Sequence, residues 1–189
     1  MDSQTQMIVA AVVVLLVVAA AAWMYYTRYS RQSRARLRER FGPEYDRTVA
    51  AVGSPDKADA LLSERAARVD RFKIRPLVRE QADAFAREWH RIQALFVDDP
   101  DAAVVEADRL LTQVMTARGY PLEDFDRRAD DISVDHPHVV ENYRIAQALV
   151  LKRQRGMADT EELRQALVNY RSLFDDLLEV AGSHHRRAS

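Results

Sequence analysis

The sequence has no cysteine, and it is sparing with the residues that interrupt helices: five glycines and six prolines in 189 residues. The missing thiol excludes disulfides, thiolate metal sites and a cysteine nucleophile, while leaving the compartment open. Every glycine falls at an inferred break, so there is no glycine-rich phosphate loop and no GxSxG elbow. No stretch alternates apolar and polar residues between hairpin turns, which leaves strands without support. Low-complexity tracts are absent too. Apolar residues recur between charges that make up 30% of the chain, the pattern of a folded chain and not a disordered one.

The length suits one compact domain beyond the N-terminal apolar run. From Met7 to Tyr26 there is no charged residue, and a helix of about 20 residues spans the roughly 30 Å hydrocarbon core. Trp23, Tyr25 and Tyr26 stand at its C-terminal end, as in an aromatic belt. Arg28, Arg31, Arg34, Arg36, Arg38 and Arg40 follow against the single acid Glu39, a collar that the positive-inside bias retains in the cytoplasm. The membrane interface is therefore expected at Trp23, Tyr25, Tyr26, Arg28, Arg31 and Arg34. The expected topology is a plasma-membrane anchor with the N-terminus outside and the domain cytoplasmic. The alternative is an extracytoplasmic or secreted protein after cleavage of a signal peptide near Ala19 to Ala22, which the missing basic n-region and the arginine collar oppose.

Beyond the anchor the chain reads as helices. Gly42-Pro43 opens a short helix that Gly53 ends, and Ser54-Pro55 opens the next, carrying Leu61, Leu62, Arg65, Val69 and Phe72 at helical spacing. Phe85, Trp89, Ile92 and Phe96 form one apolar stripe after Pro76. Asp99-Pro100 caps and starts a helix with Ala103, Val104, Ala107, Leu110, Leu111, Val114 and Met115 inward, closed by Gly119. A short acidic helix from Pro121 is expected, then an irregular link at DISVDHPH. Val139, Val140, Tyr143, Ala146 and Val150 mark a further helix ending at Gly156. Asp159 with Glu162 makes a capping-box variant for the last one, which turns Leu163, Ala166, Leu167, Tyr170, Leu173, Phe174, Leu177 and Leu178 to one side. The expected fold is all-α, with one N-terminal transmembrane helix followed by an irregular antiparallel helical bundle. Its expected divisions are a tail at 1–6, the transmembrane helix at 7–26, a basic juxtamembrane helix at 27–41, a soluble helical domain at 42–181 and a disordered tail at 182–189.

The strings RFGPEYDR (Arg40 to Arg47), FVDDP (Phe96 to Pro100), RGYPLEDF (Arg118 to Phe125), SVDHP (Ser133 to Pro137) and TEELRQALVNYRSLF (Thr160 to Phe174) resemble a family of uncharacterised bacterial single-pass membrane proteins, some labelled secreted. The resemblance covers nearly all the chain after the anchor. It implies no activity, ligand or catalytic residue.

The most chemical-looking stretch runs from Asp130 to His138, followed by Glu141. On a helix His138 and Glu141 share a face, and with His136 and Asp135 they offer a divalent metal two imidazoles and carboxylates. Against this, the spacing matches no HExxH arrangement, and Asp135 or His136 equally suits the cap of a helix begun by Pro137. The acids around Asp124, Asp126, Asp130 and Asp131 lack the glycine and the terminal glutamate of a calcium loop. His90 stands without a convergent nucleophile. No catalytic residue and no cofactor is expected. The chain reads as a membrane-tethered interaction or scaffolding module with a protein partner or self-association, without nucleic acid or a recognisable small molecule. A metal-dependent enzyme at Asp135, His136, His138 and Glu141 is the alternative.

Overall fold

At Pro43, Gly53, Pro55, Pro100 and Gly119 helix punctuation in the sequence coincides with helix ends in the structure, whereas the helix expected from Pro121 starts at Phe125. The structure is a computed structural model that describes residues 15–18, 20, 21, 23, 24, 32–121 and 123–178. The elements are α1 (32–41), α2 (Pro43–Val52), α3 (Pro55–Val69), α4 (Arg79–Asp98), α5 (Pro100–Arg118), α6 (Phe125–Asp135), α7 (Val140–Gln154) and α8 (Thr160–Leu177). There is no strand among the described residues. The caps are local and physical. Asp99 accepts from the Ala102 N–H at 2.9 Å, Asp124 from Arg127 at 2.9 Å, and Asp159 from Glu162 at 2.9 Å while Glu162 accepts in return from the Asp159 N–H.

The expectation of an N-terminal transmembrane helix is corrected here: among the described residues no helix is long and apolar enough to cross a membrane. Within 7–26 the described residues are 15–18, 20, 21, 23 and 24, all of them helical. The remainder of that stretch, including Tyr25 and Tyr26, lies outside the described residues, as do Arg28, Arg31 and the tail at 182–189. The N-terminal transmembrane helix and the single-pass reading are thus not supported by the described residues, and the all-α bundle stands.

The described part of the basic stretch, α1, packs into the fold. Leu37 and Phe41 are buried, and Arg34, Arg38 and Arg40 bond within the domain. Arg34 reaches Asp59 at 2.8 Å and Asp56 at 2.6 Å on α3, and Arg40 reaches Asp70 at 3.0 Å. The Arg38 guanidinium lies over the Tyr45 ring, 5.0 Å from its centroid.

Two apolar clusters organise the chain. The larger joins α4, α5, α7 and α8, with α5 packed between α4 and α8 and α8 packed on α7. All seven α5 residues expected inward are buried. Trp89 of α4 stacks on Phe174 of α8, with ring centroids 4.6 Å apart and planes at 19°. The smaller cluster holds Leu37, Phe41, Tyr45, Leu62, Ala66 and Val69 of α1–α3 with Val134 of α6.

Residues 131–135 of the stretch expected to be an irregular link are instead the second half of α6, and 136–138 remain non-helical. Ile132 is buried in the larger cluster and Val134 in the smaller, so α6 pins the two together. That double burial overrides the weak helix propensity of Asp-Ile-Ser-Val-Asp. Pro137 does not open α7 either, because residues 137–139 form a turn and the His136 N–H completes α6 by donating to the Ile132 carbonyl at 2.8 Å.

Gly119 ends α5 at φ +102°, where a Cβ would lie 2.6 Å from the Lys73 carbonyl oxygen. Gly119→Ala therefore adds a backbone clash to left-handed strain, and it is expected to destabilise by roughly 2–3 kcal/mol in urea denaturation. Gly53→Ala, also at positive φ but with nothing within 4 Å of the new Cβ, should cost only about 1 kcal/mol. Equal losses at the two sites would show that the close approach to Lys73 contributes nothing.

Candidate functional site

The structure separates the residues that the sequence suggested as metal ligands. His136 is buried, with Nδ1 2.5 Å from Asp176 Oδ2 and Nε2 3.5 Å from Arg118 Nη1. His138 is exposed beside Gly42. Glu141 is exposed and lies 3.5 Å from Arg47 and 3.8 Å from Arg144. Because α6 ends at Asp135 and α7 starts only at Val140, His138 and Glu141 do not share a helical face. Among the described residues no three His, Asp or Glu are placed to hold one metal ion. Of the residues expected at a membrane interface, Trp23 is exposed and Arg34 is engaged with α3.

Charge is instead gathered where α1–α3 meet the rest of the molecule. The Glu44 side chain of α2 is 1% exposed. Its carboxylate accepts from Arg65 of α3 at 2.9 Å and from two nitrogens of Arg144 of α7 at 2.7 and 2.9 Å. Asp130 of α6 takes Arg65 at 2.7 Å and Arg144 at 3.5 Å, and Arg65 also donates to the Ser133 hydroxyl at 3.0 Å. Arg68 holds Asp131 at 2.5 Å. Burial pushes the Asp131 carboxyl upward against the pull of that guanidinium. Four helices thus meet through alternating acids and guanidinium groups.

Beside this seam lies a cavity of about 430 Å³. One wall is Val69, Asp70, Phe72 and Ile74, and the other is Arg118, Asp135, His136 and Asp176. Tyr120 donates to Asp135 at 2.9 Å, and its own burial, reinforced by that carboxylate, raises the phenol far above its ordinary value. Arg118 ties the wall to α8 by donating to the Leu177 carbonyl at 3.2 Å. His136 and Asp176 are hydrogen-bond partners, but no serine, threonine, cysteine or lysine stands among the described lining residues to act as a nucleophile.

A second feature is a groove of about 250 Å³ between α4 and α8, lined by Trp89, Gln93 and Phe96 on one side and Arg164, Leu167, Val168 and Arg171 on the other. Its walls are apolar and its α8 rim is basic. Arg164 pairs with Glu161 and Arg171 with Asp175, both on the same exposed helix surface.

Sequence reading found the helices that carry these features and missed the features themselves. Glu44 and Arg144 look like ordinary surface charges one at a time, and Arg65 stands at helical spacing with Leu62 and Val69 but without a visible partner. A weak signal was available: Glu44 and Arg65 each sit one residue from a core position, Tyr45 and Ala66, on otherwise amphipathic helices. Comparisons of the chain with protein-family models, with curated proteins and with solved structures return no match.

Proposed function

We propose that the protein is a helical interaction module whose groove between α4 and α8 receives an amphipathic segment of another protein, apolar on one face and flanked by acidic residues. The observation that carries this reading is the combination of an apolar trough with a basic rim. Trp89, Phe96 and Leu167 line the trough, and Val168 on its edge is 48% exposed. Arg164 and Arg171, seven positions apart on α8, stand about 10 Å apart along the helix axis. That spacing matches two turns of a helix laid in the groove, with i, i+3, i+4 and i+7 anchors. The rim arginines are bound only to exposed acids of their own helix, and surface pairs of this kind contribute about 0–1 kcal/mol. Exchanging those acids for a partner's carboxylates therefore costs little. No observation favours the metal-dependent alternative.

The test places a photo-crosslinking residue at Val168 in the full chain, expressed in its native cells, with Glu64 on α3 as the control position. Crosslinks from Val168 are expected to map to one partner segment with apolar anchors and acidic flanks. A synthetic peptide of that segment should lose at least about tenfold in affinity when Arg164 and Arg171 are both changed to Glu. Indistinguishable crosslinks from Val168 and Glu64, or peptide binding indifferent to the charge reversal, would rule the reading out. Crosslinks to a second copy of this chain would replace the foreign partner by self-association.

A further inference from the structure

We infer that α1–α3 open away from the α4–α8 body as one unit, pivoting at residues 70–72, and that this movement widens and closes the cavity of about 430 Å³ at the seam. The inference is independent of the groove between α4 and α8 and rests on how the two parts are joined.

The two parts have separate cores. Of the residues buried in the smaller cluster, all but Val134 belong to α1–α3. The partly buried Phe72 and Ile74, in the connection between α3 and α4, touch both clusters and are the other apolar bridge. Much of the rest of the described join is ionic: Glu44, Arg65 and Arg68 on one side face Asp130, Asp131 and Arg144 on the other. In a buried ion pair the loss of hydration largely offsets the Coulomb attraction, so such a seam confers more specificity than adhesion. Parting it rehydrates every one of these charges, whereas parting an apolar seam would leave greasy surface in water.

The seam is also loosely filled at its edges. On one edge lies the cavity, with Val69, Asp70, Phe72 and Ile74 facing Arg118, Asp135, His136 and Asp176. On the other lies a cleft of about 300 Å³, where Pro43, Glu44 and Arg47 face Pro137, Val140 and Glu141. The walls of the cleft belong to opposite parts, and the cavity is bounded by the end of α3 and the connection on one side and by the body on the other, so separation changes both at once. The body end of the connection is held in place. The Arg75 N–H donates to the Arg118 carbonyl at 2.9 Å, Leu77 is buried, and Lys73 abuts Gly119. Rotation is thereby confined to the few residues after α3, as in other hinges made by short element-terminal segments.

The absence of native cysteine makes a clean test. In the full chain, Val134→Cys places a single thiol under α1–α3, and Ala107→Cys places one in the fully buried face of α5. Under native conditions Val134→Cys is expected to react with a thiol reagent at least about a hundredfold faster than Ala107→Cys. Adding Glu44→Gln should accelerate labelling of Val134→Cys by a further order of magnitude or more and leave Ala107→Cys unchanged. Amide exchange on the unaltered protein gives the same answer without any substitution: α1, α2 and α3 should exchange together, ahead of α5 and α8. Equal labelling of the two thiols, or α1–α3 amides protected to the level of α5, would overturn the inference.

Discussion

Glu44→Ala is expected to destabilise the protein by about 3–5 kcal/mol, the loss typical of removing one member of a buried ionic group. The size follows from what is left behind. The Glu44 carboxylate receives three hydrogen bonds of 2.7 to 2.9 Å from Arg65 and Arg144. Those guanidinium groups are themselves only 7% and 13% exposed, so without Glu44 two cations face each other in a poorly hydrated seam. Asp130, which also touches both, is 35% exposed and takes Arg144 only at 3.5 Å. The cost is therefore that of uncompensated charge and not of a lost attraction. It follows that removing both signs is less harmful: in the double variant Glu44→Ala, Arg65→Met the loss should be smaller than the sum of the two single losses by about 1–3 kcal/mol. Urea unfolding followed by helical circular dichroism measures these values. The slope of the transition should also fall in Glu44→Ala, as α1–α3 uncouple from the body and less surface is exposed in the main step. A loss under about 1 kcal/mol would mean that the seam is hydrated and that the network has no structural weight.

Phe174→Ala should cost a similar amount, about 3–5 kcal/mol, by a different route. Its ring is buried in the larger cluster and stacked on Trp89, which brings α4 and α8 together across α5. Truncation removes the apolar transfer energy, the stacking contribution and the support beneath the groove, leaving a void that the surrounding helices fill only in part. Phe174→Leu retains most of the volume, and its cost should stay below about 1.5 kcal/mol. The consequence reaches the proposed docking site, because Trp89 lines that groove as well. In a Trp23→Phe background, which leaves Trp89 as the sole indole, Phe174→Ala should shift the emission to longer wavelength and weaken binding of any groove peptide. An unchanged spectrum would show that Trp89 does not depend on Phe174 for its burial.

Much of this architecture is legible from local signals. Pro43, Pro55 and Pro100 open helices, Gly53 and Gly119 close them, and the box between Asp159 and Glu162 starts the last one. Each of these acts within one turn of chain, so each can be read without knowing what lies opposite. The same is true of the inward faces of α5 and α8, because apolar residues at helical spacing have to be buried somewhere. Where local and tertiary preferences compete, the sequence misleads. Residues 131–135 look like a link and are helical because Ile132 and Val134 are buried in two different clusters. The basic stretch reads as a membrane collar, yet Arg34, Arg38 and Arg40 have carboxylate or aromatic partners in α2, at Asp70 just after α3, and in α3.

What the amino-acid sequence determined by itself is the all-α class, the placement of most helix ends and the residues of the main core, since caps, breaks and periodicity are properties of neighbouring residues. What only the tertiary structure decided is which charges meet. Glu44 and Arg144 are 100 positions apart, and nothing in either neighbourhood distinguishes them from solvated surface groups. An ion pair has no period and no local signature, and its energy depends on burial and distance, which exist only once the helices have packed.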